Sequence, residues 1–140
     1  MSEPAVQTDL WVQRFVREVL PRIVQAVQPE RVILFGSRIQ GTARPESDLD
    51  VVVVADRFRE MPIWERMPWL LWLADFDKHV DFFCYTPEEF QRVQRVSSVI
   101  EEAVRDGWHI TSQDWPYLDA FLTQADVNPH RKIGPIGETA

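Results

Sequence analysis

The sequence predicts an α/β chain in which short apolar strands are interleaved with helices. Three observations carry this reading. Arg31 to Phe35 is an apolar strand that runs into the tight polar turn Gly36-Ser37. Asp48-Leu49-Asp50 opens a second apolar run that continues through Val51 to Val54. His79 to Tyr85 forms a third, and the segments between carry apolar residues at the three-to-four spacing of helices.

At 140 residues the chain has room for one core. The expectation is one domain over 1–125, with its core at 30–111 and a flexible tail at 126–140. Apolar content of 45% with 26% charged residues is that of a globular chain. A net charge of −7 argues against strong binding to nucleic acid. The sequence lacks an apolar run long enough to span a bilayer and a basic, apolar leader, so no membrane association and a cytoplasmic setting are expected. Cys84 sits within an apolar strand and reads as a buried, reduced thiol.

The elements follow in order. Thr8 or Asp9 caps a first helix with apolar residues at 12, 15, 16, 19, 20, 23, 24 and 27. Pro21 kinks it or starts a second segment. After the strand at 31–35, Ser37 to Gln40 is a short helix stopped by Gly41, and 41–47 is a turn. The strand at 48–54 has continuous valines, so both of its faces should be covered. Ile63 to Phe76, with Trp64, Trp69 and Trp72, is two short helices or one kinked at Pro68. Its apolar residues point almost all round the axis, which suits a partner surface as well as a core.

Thr86 caps a helix that begins with Pro87 and Glu88-Glu89 and runs to Arg105, with Gly107 as its stop. Trp108 to Thr111 is a short edge strand, Asp114 starts a last helix with Trp115, Leu118, Phe121 and Leu122, and the tail from Asn128 is loose.

The chemistry concentrates at two of these strands. Side chains alternate along a strand, so Asp48 and Asp50 share a face. Adjacent carboxylates repel, and a divalent cation such as Mg²⁺ would neutralise them while keeping positions open for phosphate oxygens. Gly36 lets backbone approach a phosphate closely, and Ser37 adds a hydroxyl. Asp81 lies between Val80 and Phe82. Two readings stand for it: a salt bridge with an arginine, or a third carboxylate beside Asp48 and Asp50. Arg38 and Arg44 either offset phosphate charge or are solvated. Ser47 reads as a turn cap, His79 shares the face of Asp81 without being assigned a catalytic role, and Asp75 and Asp77 fall at a helix end.

Gly36-Ser37, about ten residues, Asp48-Leu49-Asp50 and then Asp81 on a later strand together resemble the DNA polymerase β-like nucleotidyltransferase superfamily. The run GSRIQGTARPESDLDVVVV is similar to its minimal nucleotidyltransferases, the MNT family. That resemblance implies a small mixed β-sheet flanked by helices, an α+β fold. It implies transfer of NMP, AMP from ATP above all, with two Mg²⁺ ions held by Asp48, Asp50 and Asp81. Gly36, Ser37 and Arg38 are then the nucleotide-binding candidates. It also implies a HEPN-domain helical protein as partner, with this chain as the antitoxin of a toxin–antitoxin pair. The Trp-rich 63–76 helix is a candidate surface for a homodimer or hetero-oligomer. Two other functions compete: a non-catalytic module that neutralises its partner by contact, and an antibiotic-modifying transferase.

Overall fold

The computed structural model describes residues 9–115. Asp9 caps the first helical segment, α1 (Leu10–Arg14), by accepting from the Trp11 and Val12 N–H groups. A π-helical turn, Phe15–Val19, links it to α2 (Leu20–Val27). Pro21 therefore stands in the first turn of a new α segment, where its missing N–H costs nothing. The widened turn before it absorbs the mismatch. Of the two outcomes expected for Pro21, the structure takes the second segment.

Strand β1 (Arg31–Phe35) leads through Gly36 into the single-turn helix α3 (Ser37–Gln40), closed by Gly41 at φ 84°. Strand β2 (Leu49–Val54) returns antiparallel to β1. A 3₁₀ turn (Asp56–Glu60) and α4 (Ile63–Ala74) then carry the chain to β3 (Val80–Tyr85), which pairs parallel to β2. Helices α5 (Pro87–Val96) and α6 (Ser98–Asp106) precede β4 (Trp108–Thr111), antiparallel to β1. The sheet is mixed, in the order β3-β2-β1-β4. This is the expected mixed sheet flanked by helices, an α+β fold.

One face of the sheet, through Leu34, Val51, Val53 and Phe82, packs on α1, α2 and α4. The other, through Ile33, Phe35, Val52 and Val54, packs on Phe90, Ile100 and Ala103 of α5 and α6. Both faces of β2 are covered, as its unbroken valines predict. Cys84 is buried, and burial pushes its thiol up to about 12.

Two elements differ from expectation, and a third takes one of the two forms expected for it. The helix expected over 87–105 is broken at Ser97, whose backbone is extended and whose Oγ accepts from the Ile100 N–H. The break re-aims the chain so that Ile100 and Ala103 meet the sheet. Of the two forms expected at Pro68, the structure takes the single helix, α4, which spans it. Its buried positions, Arg66, Leu70 and Ala74, form a single stripe four residues apart, leaving Ile63, Trp64 and Trp72 exposed. Gly107 ends α6 through space rather than backbone freedom. Its φ is −83°, and a Cβ there would overlap the Ala103 carbonyl and Ile33. The N-cap candidate Thr8, the tail and all but Asp114 and Trp115 of the last expected helix lie outside the described residues.

Candidate active site

The site forms where β1, β2 and β3 run level. Phe35 stands opposite Asp50 across β1 and β2, and Asp50 stands opposite Asp81 across β2 and β3. Asp50 and Asp81 are thus at one height of neighbouring strands, on the face covered further along by α5 and α6. Beyond Asp81 that face continues with Phe83 and Tyr85 against the core. The acids lie past the apolar layer, which explains why Asp81 is half exposed, at 42%, despite its apolar neighbours in sequence. Asp81 is thus not buried within the apolar run that flanks it in sequence. Among the described residues its side-chain partner is His79, whose Nε2 lies 2.9 Å from Asp81 Oδ1, rather than an arginine.

Asp48 precedes β2 and is exposed. Its carboxylate, the His79 imidazole and the Asp81 carboxylate each offer an atom within 4.8 Å of the others. The Leu49 N–H donates to the His79 carbonyl at 3.2 Å, which locks the start of β2 to the start of β3. The three acids singled out in the sequence are therefore neighbours, but the tight cluster joins Asp48 and Asp81 with His79. The signal for His79 was its place two residues before Asp81, on the same face.

Asp50 lies against Gly36. A Cβ on Gly36 would overlap Asp50 Oδ2 and stand 3.2 Å from its Cγ. The Gly36 backbone, at φ 90° and ψ −166°, is open only to glycine. The Asp50 carboxyl is pushed from the ordinary 3.8 to about 6. Burial is the main cause, followed by the negative charges of Asp81, Asp48 and Glu102; the last reaches it from α6 and was not picked out in the sequence.

Gly36 also ties down the turn after it, because its carbonyl accepts from Ile39 and Gln40. Ser37 opens α3, and its carbonyl accepts from Gly41 and Thr42. Arg38 is buried and its guanidinium is spent on structure. Nε donates to the Ser47 carbonyl at 2.9 Å, and Nη2 donates to the Arg44 and Pro45 carbonyls at 3.0 Å. Nη1 pairs with Asp9 at 3.0 Å. One side chain thus binds the loop between Gly-Ser and Asp-x-Asp to the cap of the first helix. Lys78 holds the same loop through the Pro45 carbonyl, and Ser47 Oγ accepts from the Arg44 N–H as the expected turn cap. Asp77 pairs with Arg14, and Asp75 ends α4 in the left-handed conformation.

The donors suit a hard divalent cation. Carboxylates of Asp48 and Asp81 converge and Asp50 adjoins them, its pKa raised by burial first and by their negative charge second.

Fold and site together define a mixed-sheet α+β protein with clustered acids at strand ends facing a Gly-Ser turn. A family model described as a nucleotidyltransferase domain matches residues 16–106, and the chain belongs to that family. No curated protein matches it closely enough to count as a relative. Among solved structures it is similar to one from Sulfolobus solfataricus assigned as a nucleotidyltransferase, at 21% identity and TM-score 0.47, covering 66% of this chain and 82% of that one. It is also similar to a toxin–antitoxin structure with AMP-PNP, at 23% identity and TM-score 0.44, covering 78% and 84%. A third likeness is to a mutant of the toxin–antitoxin MntA–HpeT, at 22% identity and TM-score 0.42, covering 77% and 82%. Among the described residues no helix is long and apolar enough to cross a membrane.

Proposed function

We propose that this chain transfers a nucleoside monophosphate, AMP from ATP, to a hydroxyl on a partner protein, as the antitoxin of an MNT–HEPN pair in the cytoplasm. The observation that carries the reading is the convergence of Asp48, Asp50 and Asp81 on one side of Gly36-Ser37. The acceptor oxygen forms a bond to the α-phosphorus, the bond to the β-phosphate bridge breaks, and pyrophosphate leaves. Asp81 takes the acceptor's proton on its exposed carboxylate. Ser37 and the backbone beside Gly36 hold the terminal phosphates. Arg38 acts at one remove by holding the loop that delivers Asp48 and Asp50. Two Mg²⁺ ions, held by Asp48, Asp50 and Asp81, would offset charge on the phosphates and lower the pKa of the acceptor hydroxyl.

The partner belongs to the same proposal. Trp64 and Trp72 are 77% and 75% exposed on α4, and large aromatic side chains of this kind are what protein interfaces use. The same observation favours a second reading, neutralisation of the partner by contact alone.

Incubation with α-labelled ATP, Mg²⁺ and a candidate HEPN-domain helical partner should label that protein. Asp48→Ala and Asp81→Ala should abolish the label. Unchanged labelling by either variant refutes the catalytic assignment. Rescue from toxicity that survives both substitutions, in cells that show no label, selects the contact reading instead.

A further inference from the structure

His79 is the one member of the cluster that the Asp-based chemistry does not use, and its geometry sets it apart from a surface histidine. Its Nε2 lies 2.9 Å from Asp81 Oδ1, and within 4.8 Å of an Asp48 carboxylate oxygen. Two ligands held on adjacent octahedral positions at about 2.1 Å from a cation stand about 3.0 Å apart. The His79–Asp81 pair already has that separation. The position is also rigid: the His79 carbonyl accepts from Leu49 N–H, so the residue cannot drift from the start of β2 without breaking the strand pairing.

We infer that His79 is itself a metal ligand, giving the acceptor-side site one imidazole nitrogen beside the carboxylates of Asp48 and Asp81. This rests on the metal-dependent reading of the site proposed above. Binding the ion through Nε2 requires that nitrogen to carry no hydrogen, and any proton it held goes to solvent. The consequence is selectivity. Oxygen-only sites suit Mg²⁺, whereas imidazole favours later transition metals in the order Mn²⁺ below Co²⁺. This site should therefore prefer Mn²⁺ and Co²⁺ over Mg²⁺ by more than its carboxylates alone provide.

The test is binding, not turnover. Protein labelled with ¹⁵N-histidine is loaded with Mn²⁺, and pulsed electron paramagnetic resonance reads the nitrogen coupling of a directly bound imidazole. Calorimetry measures Mn²⁺, Co²⁺ and Mg²⁺ affinities for the native chain and for His79→Ala. The half-exposed position makes that variant safe for folding. The expected result is nitrogen coupling in the native protein and none in His79→Ala. Co²⁺ affinity should fall about tenfold or more, with a smaller loss for Mg²⁺. Bound Mn²⁺ without nitrogen coupling overturns the inference and leaves the metal-dependent reading standing, with His79 only orienting Asp81. Coupling that persists in His79→Ala also overturns it. If Mn²⁺ and Mg²⁺ bind neither protein, both the inference and the reading beneath it fall.

Discussion

Replacing Asp50 by asparagine should stabilise the metal-free protein at neutral and alkaline pH. Asp50 is held partly buried against Gly36 among other carboxylates, and its pKa is pushed from 3.8 to about 6. The folded state therefore holds the proton more tightly than the unfolded chain. That stabilisation is fully present below about pH 4 and is lost as pH rises through about 6. A shift of about two units corresponds to about 3 kcal/mol in full. The side chain is only partly buried, and solvent screening reduces this to about 1 kcal/mol. Asparagine has no proton to lose. In EDTA, its advantage should grow from about pH 4 to about pH 6 and stay constant above pH 7, raising Tm at pH 8 by about 4 °C. Urea unfolding across that range, monitored by tryptophan fluorescence, reads it directly. Added Mg²⁺ should reverse the ranking, because only the native site gains from binding it. A variant less stable than native at pH 8 in EDTA, or a gain that does not change with pH, refutes the account of Asp50 as a residue kept at a cost to stability.

Other substitutions probe the supports of the site. Gly36→Ala should lower stability by about 2 kcal/mol through backbone strain and should displace Asp50, with loss of transfer activity; thermal melts and the labelling assay check both. Arg38→Lys should behave as a folding defect of about 2 kcal/mol, since an ammonium cannot span three carbonyls and Asp9. A normal Tm with a raised KM for ATP would return Arg38 to the phosphates. Buried Arg66 donates to Met61 and Cys84 carbonyls and pairs with Glu89 at 2.6 Å, while Glu89 also closes the capping box of α5. Arg66→Met should cost about 3 kcal/mol in urea unfolding, and adding Glu89→Gln should recover part of it.

Much of the strand framework was legible in the sequence. The apolar runs, the Gly stops and the Thr86-Pro87 cap are local signals, and each set a strand or a helix end where expected. The break at Ser97 was hidden because Val96, Val99 and Ile100 continue a helical pattern across the Ser97 cap, and of these only Ile100 packs on the sheet. Arg66 shows the same limit. A charged residue in the buried stripe of α4 reads as surface until Glu89 arrives from 23 positions away to pair with it.

Residue order is enough to mark the candidates for chemistry: Gly36-Ser37 at a strand end, Asp48 and Asp50 two apart at the start of another, and Asp81 on a third. Spacing and residue type suffice there, because alternation along a strand is a local property. Tertiary structure alone decided how those groups meet. Parallel pairing of β2 with β3 sets Asp50 level with Asp81 and brings Asp48 to His79 and Asp81, and antiparallel pairing of β1 with β2 turns Asp50 against Gly36. It also took Arg38, next in sequence to the phosphate-binding candidates, and spent it on the loop and Asp9. A guanidinium goes where its donors find buried acceptors, and those acceptors are known only once the chain has closed around them.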